Sequence, residues 1–191
     1  MVKFLPFEGF TLYVYVCSTA VARCHVEAKA YSANNDQLIR VGYVKLDGLA
    51  VWQSSWLGQF PNLRGVNTIL VDPFSCRITE TKRFDTFASE DNAVQLRGYL
   101  SRLSPGSVVV GVTADEPTRY LSPALSTLRE LGVNVTDVSR RGAFAFIAQK
   151  GYPSKTVLRK AVSEAEASTN QPQFHAIITG ILFTVLKITK N

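Results

Sequence analysis

The sequence has no Gly-x-Ser-x-Gly nucleophile elbow, no phosphate-binding glycine loop and no metal-ligand motif. Serine hydrolases, P-loop nucleotide enzymes and zinc enzymes therefore lose their usual signatures. The three cysteines, Cys17, Cys24 and Cys76, include no pair at metal-binding spacing, and His25 and His175 are isolated. A zinc site needs several nitrogen or sulfur ligands converging on one point, so neither a metal nor another cofactor is expected. Charge is moderate, with a formal net value of +6. The basic residues are scattered rather than gathered into a block with interleaved aromatics, which argues against nucleic acid as a partner. The net charge is compatible with an anionic glycan or phospholipid head groups, but selects neither. There are no internal repeats and no low-complexity tract.

What is present suffices for one globular domain: 191 residues, 46% of them hydrophobic. The ends differ from the middle. Lys3, the mostly apolar Phe10 to Val16 and the small residues of Ala20-Val21-Ala22 predict a secretory signal peptide over residues 1–22, cleaved before Arg23. Pro6, Glu8 and Gly9 interrupt its early part, and an N-terminal strand over Thr11 to Val16 is the alternative. Secretion would leave Cys24 and Cys76 in an oxidising compartment, where two cysteines can pair. A free buried thiol and an intermolecular bridge are the other outcomes. Secretion would also make the sequon Asn134-Val135-Thr136 an N-glycosylation acceptor. The last segment, 171–191, is apolar and β-branched from Phe174 to Ile188. It reads as a strand or helix packed on the domain, with a weak membrane anchor as the alternative. Its closing Lys187, Lys190 and Asn191 do not resemble a lipid-anchor signal, which ends apolar.

The chain is organised around Arg64 to Asp85. Val66 to Val71 is mostly apolar and rich in β-branched residues, and predicts a buried strand. Asp72-Pro73 begins a turn, because Pro73 fixes its own φ and biases Asp72 away from helix. Ile78 to Asp85 alternates, which suits a strand at a sheet margin. The two should form a hairpin. Upstream, Val26 to Ala30 and Leu38 to Leu46 read as strands, with Asp47-Gly48 as a type I′ hairpin turn to Leu49–Trp52. Gln53 to Leu63, with Ser54-Ser55, Gly58 and Pro61, reads as a loop.

Downstream, Ser89 predicts a helix N-cap, with Glu90 and Asp91 favoured by the helix dipole. Ala93, Leu96, Leu100 and Leu103 form the buried stripe, and Pro105-Gly106 ends the helix. Ser107 to Val112 is a second buried strand. Ser122-Pro123 predicts another helix start, closed by Gly132. Thr136 to Arg141 is ambiguous, Phe144 to Ala148 is a strand, and Ser154 to Ala167 has helical spacing at Val157, Ala161 and Ala165.

Arg64-Gly65-Val66-Asn67 followed by Arg83-Phe84-Asp85-Thr86 resembles the interleukin-like EMT inducer (ILEI)/PANDER domain. The resemblance continues through Gly106 to Thr113, Leu131-Gly132 and Phe144 to Gly151, and covers about Ala28 to Gly151. The order and spacing of these motifs carry it. Such domains occur in small secreted cytokine-like proteins, in the stem of protein O-mannose N-acetylglucosaminyltransferase and in cell-migration-inducing hyaluronan-binding proteins. The resemblance implies an α+β fold, a compact β-β-α sandwich of mainly antiparallel strands with two or three packed helices, spanning residues 23–170.

It also implies a carbohydrate site. In the stem domain, an arginine before the central strand, an aspartate after a later strand and an arginine before the last strand hold a terminal sugar. The matching positions are Arg64, Asp115 and Arg141. Sugar hydroxyls donate and accept, so carboxylate and guanidinium groups can bracket them. Tyr120 or Trp56 is available to cover the apolar sugar face. The family's Arg-Asp-x-Trp-Ala-Phe is here Arg141-Gly142-Ala143-Phe144-Ala145-Phe146, so the acid beside the arginine is missing. The structural alternative is an Arg64–Asp115–Arg141 ion cluster that pins loops to the sheet. Asp115-Glu116 by itself reads as a cap or a solvated turn rather than a glycosidase pair, which needs carboxylates on opposite sides of one bond. Gly65 and Gly142 read as positions of positive φ or close backbone approach. The sequence therefore predicts a secreted or lumenal, non-enzymatic module binding glycan or glycoprotein, and not nucleic acid. The alternative is a cytokine-like ligand of a cell-surface receptor, acting alone or as a homodimer.

Overall fold

A computed structural model describes residues 3–7, 10–14, 24–32, 40–56, 60–161 and 164–168. Lys3–Phe7 (β1) and Phe10–Val14 (β2) pair with each other as a hairpin. The cleavage motif at Ala20–Arg23 and the apolar tail of 171–191 lie outside the described residues.

The centre is an antiparallel five-stranded sheet in the order β10-β9-β8-β6-β7. β6 is Gly65–Asp72, β7 Arg77–Phe84, β8 Val108–Ala114, β9 Ala143–Gln149 and β10 Val157–Ala161. Every residue of β8 and β9 is buried. These strands are covered on both faces, which is why their sequences are continuous apolar runs. On one face Ile69, Val71, Val108, Val110, Val112, Ala145 and Ile147 meet Val26, Ala28, Ala30, Val44 and Leu46 of a second sheet. That sheet is antiparallel in the order β11-β3-β4-β5, formed by Glu164–Ser168 (β11), Val26–Tyr31 (β3), Arg40–Leu46 (β4) and Leu49–Trp56 (β5). On the other face Val66, Val109, Phe144 and Phe146 meet Leu96, Leu100 and Leu128 of two helices and Leu131 just after the second. The result is a β-β-α sandwich. Alternation along β9 assigns Ala143, Ala145 and Ile147 to the sheet layer and Phe144, Phe146 and Ala148 to the helix layer.

The predicted turns are present. Asp47 and Gly48 both have positive φ, at 48° and 83°, as the turn between β4 and β5 requires. Helix α1, Glu90–Ser101, follows Ser89 and buries Ala93, Leu96, Tyr99 and Leu100. Ser89 holds the cap position in extended conformation, yet its hydroxyl accepts from Asn92 Nδ2 at 2.8 Å and caps no backbone amide. Helix α2, Leu125–Glu130, grows out of a 3-10 turn, Ser122–Ala124. Leu121, not Ser122, holds the position before that turn, because Tyr120 and Leu121 are already tied back to Thr86 and Thr118.

Two expectations are corrected. Gln53 to Trp56 continues β5 rather than starting the loop. Ser54 and Ser55 lie opposite Gly42 and Val41, and their hydroxyls hold the following segment onto the strand. Ser54 Oγ donates to Pro61 O at 3.0 Å and accepts from the Leu63 amide at 2.9 Å, while Ser55 Oγ donates to Phe60 O at 2.8 Å. The helix expected over Ser154 to Ala167 does not form. Val157–Ala161 completes the open edge of β9, and Glu164–Ser168 completes that of β3. Residues read as one helical face also alternate as strands, and two vacant sheet edges outweigh local helical preference. Among the described residues the α-helices are therefore two.

Cys24 and Cys76 form a disulfide, with Cα atoms 5.3 Å apart. It ties the start of β3 to the β6–β7 turn and so joins the two sheets. No helix among the described residues is long and apolar enough to cross a membrane.

Candidate functional site

Antiparallel register gathers four loops at one end of the five-stranded sheet. Gly65 lies opposite Ala114, Val66 opposite Phe84, and Val112 opposite Ala145. Residues just before β6 and β9 and just after β7 and β8 therefore share that end. Arg64, Asp85, Asp115 and Arg141 occupy these positions.

Arg64 is fastened from below. Its Nε and a terminal nitrogen donate to the two carboxylate oxygens of Asp85 at 3.0 and 2.9 Å. Arg83 donates to the same carboxylate at 3.0 Å and to the Arg64 carbonyl at 3.1 Å. Gly65 makes this turn possible: its φ is +101°, and a Cβ there would stand 2.2 Å from the Phe84 carbonyl. Burial acts to raise the Asp85 carboxyl's pKa, but the hydrogen bonds from Arg64, the Arg64 and Arg83 charges and the Ala88 amide outweigh it and hold that pKa below the usual range. Arg64 is correspondingly raised, mainly by its hydrogen bond to Asp85, with the Asp115 charge adding to the effect. The guanidinium also lies 4.4 Å from the Phe87 ring centroid.

Asp115 sits at the end of β8 with φ of +61°, half-buried. Its Oδ2 accepts a long 3.5 Å bond from the Asn62 amide, and Asn62 in turn accepts from Tyr31 at 3.0 Å. Arg141 also has positive φ, +60°. Its amide donates to Glu116 Oε1 and Thr118 Oγ1, both at 3.3 Å. Its guanidinium reaches only within 3.8 Å of Glu116 Oε2 and its side chain is 53% exposed.

Thus the three expected site residues reach one end of the sheet but do not form an ion cluster with one another. Arg64 pairs with Asp85, Arg141 is seated on Glu116, and among the described residues the Asp115 carboxylate keeps most of its accepting capacity. Nor is Glu116 a solvated turn residue: it is 2% exposed and accepts from the Thr118 amide and hydroxyl at 3.0 and 2.7 Å. It supplies from another loop the support that a neighbouring acid would give Arg141. Gly142 occupies that neighbouring place, where a Cβ would come within 2.8 Å of Val138 Cγ1.

Sequence reasoning missed Asp85, Phe87 and Arg119 as members of this surface. Asp85 could have been found from hairpin register, since Val66 opposite Phe84 brings residues 64 and 85 together. Arg119 lies 4.9 Å from both the Phe87 and the Tyr120 ring centroids. The loop carrying it is strapped down by Tyr120 N–H to Thr86 O at 2.9 Å and Thr86 Oγ1 to Pro117 O at 2.6 Å. Tyr120 is half-buried beside Arg119, while the Trp56 side chain lies outside the described residues. Asn134 is exposed in the loop after α2 and accepts from the Thr136 hydroxyl at 2.9 Å.

Residues 64–152 match the family described as interleukin-like EMT inducer. That match covers just under half of the chain. The matched segment begins at Arg64 and contains every residue of the loop cluster except Asn62, while β3, β4 and β5 precede it. The chain is 28% identical over 112 residues to human Protein FAM3B, an alignment covering 56% of this chain and 47% of FAM3B. It is also 30% identical over 96 residues to the human cell migration-inducing and hyaluronan-binding protein, covering 49% of this chain and 7% of that protein. The chain thus spans about half of the first relative and a small part of the second.

Proposed function

We propose that this chain is a secreted, non-enzymatic module that binds carbohydrate at the loop end of its five-stranded sheet. The observation that carries the reading is the Asp115 carboxylate. It is held on a fixed backbone, half-buried, engaged by one long hydrogen bond and close enough to Arg64 to interact with its charge. A carboxylate so placed can accept from two adjacent sugar hydroxyls, and the exposed Arg141 guanidinium can donate to a third. Phe87 and Tyr120 supply ring surface nearby. The likeness to a hyaluronan-binding protein supports a carbohydrate ligand for this chain. In a secretory compartment the exposed Asn134 is a glycan acceptor, and an enzymatic deglycosylation shift on a gel checks it.

The test is a glycan-array screen of the full chain beside Asp115→Asn, with thermal melts of both. Asparagine tolerates the positive φ that alanine would not, so this change removes charge without backbone strain. Selective binding that the well-folded variant loses supports the reading; binding unaffected by Asp115→Asn removes it. A second reading, a secreted ligand of a protein receptor, is favoured by one observation at the other end of the molecule. Leu49, Val51 and Phe74 are exposed there, two of them beside a groove of about 520 Å³ lined also by Leu46, Cys76 and Ile78. Saturable cell binding abolished by Leu49→Asp and indifferent to glycan competitors would favour it.

A further inference from the structure

We infer that Arg119 forms an anion subsite beside the Asp115 site, so that the preferred ligand is an acidic sugar carrying a carboxylate, a uronate. This rests on the carbohydrate reading and narrows it. The loop end carries at least five guanidiniums, Arg64, Arg83, Arg119, Arg140 and Arg141, against the carboxylates Asp85, Asp115 and Glu116. The pairing is uneven. Arg64 and Arg83 both spend their charge on Asp85, and Arg141 rests near the buried Glu116. Arg119 is exposed, and among the described residues its guanidinium meets the Phe87 and Tyr120 rings and no carboxylate. Ring contacts restrict where the guanidinium can lie while leaving its donors free for a ligand. Phe87 is shared with Arg64, so the free cation stands one ring away from the locked one.

A single carboxylate suits this place better than dense negative charge. The guanidinium fork matches a carboxylate bidentately, and Asp115 nearby repels further anions. The subsite would thus select sugars that alternate one charge with neutral hydroxyls.

The experiment titrates the full chain with a hyaluronan octasaccharide, with its carboxyl-reduced neutral derivative, and with a chondroitin sulfate octasaccharide. Arg119→Met, which keeps an unbranched apolar stem over the rings, is measured alongside. The wild type should bind the acidic octasaccharide about tenfold more tightly than the neutral one at low salt. That preference should fade as salt screens the pair. Arg119→Met should bring the two affinities together. Equal affinities in the wild type, or a preference that survives Arg119→Met, overturns the subsite. Tighter binding of the sulfated chain through Arg119 overturns the assignment to carboxylate. If the neutral sugar binds and the acid adds nothing, this inference fails and the carbohydrate reading stands. If neither binds and the array also finds no ligand, both fail.

Discussion

Reducing the Cys24–Cys76 disulfide should be the largest single loss of stability available without touching the core strands. The bridge spans a sequence separation of 52 residues. Closing a loop of that length removes unfolded-chain entropy equivalent to about 4 kcal/mol at 25 °C. Cys24 is fully buried, and the half-buried Cys76 packs on the same apolar cluster. For a domain of this size each kcal/mol moves the melting temperature by roughly 2–4 °C, so the shift should be roughly 8–16 °C. Urea unfolding followed by tryptophan fluorescence, with and without reductant, measures the difference on one protein. The Cys24→Ala/Cys76→Ala double variant checks that reductant acts through this bridge alone. A difference below about 1 kcal/mol, in either comparison, would refute the view that the bridge holds the sheets together by constraining the unfolded chain.

Three further perturbations are specific. Gly111→Ala would place a Cβ 2.0 Å from Phe146 Cε1 between two buried central strands, so it should cost about 3 kcal/mol in urea unfolding. Phe146→Leu should relieve part of that, so strictly additive effects in the double variant would contradict the packing. Burial first, and then the hydrogen bond to Glu80, push the Tyr99 hydroxyl up to about 12. Its folded pKa exceeds the unfolded value near 10, so its contribution is intact below about pH 10 and lost as pH rises toward about 12. Absorbance titration should show a late tyrosine that Tyr99→Phe removes, and that variant should lose less stability over this range. Asp85 behaves oppositely: its depressed pKa gives stability that is present above about pH 4 and lost as pH falls through the folded value. Asp85→Asn should flatten that acid limb and cost about 1 kcal/mol at neutral pH, because the pair is partly exposed.

The parts of the fold legible in the sequence were those with one physical solution. Val66 to Val71, Ser107 to Val112 and Phe144 to Ala148 are mostly apolar runs, which strands buried on both faces need at that length. Asp47-Gly48 specified its own turn. The stretch after Pro153 was not legible, because Val157, Ala161 and Ala165 fit a helix face as well as strand positions. The choice is made by the unpaired edges of β9 and β3, which no local window contains. Ser54 and Ser55 misled for a related reason: serine is typical of turns, but here each hydroxyl fastens the loop to a strand. At the site, the family pattern placed Arg64, Asp115 and Arg141 at one end of the sheet. Their partners depended on register and on loop paths: Asp85 follows from the β6–β7 register, whereas Glu116 emerged only in three dimensions. Arg119 gave no signal in the sequence, since its place over Phe87 comes from the Thr86–Pro117 and Tyr120–Thr86 hydrogen bonds between two loops.

The claim that this end of the domain is the binding surface is tested most directly by backbone amide NMR shifts during titration with the highest-affinity array glycan. The account predicts perturbations concentrated in residues 62–64, 85–88, 115–120 and 139–142, and their loss in Asp115→Asn. Shifts confined to the opposite end, around Leu49 and Phe74, would contradict it.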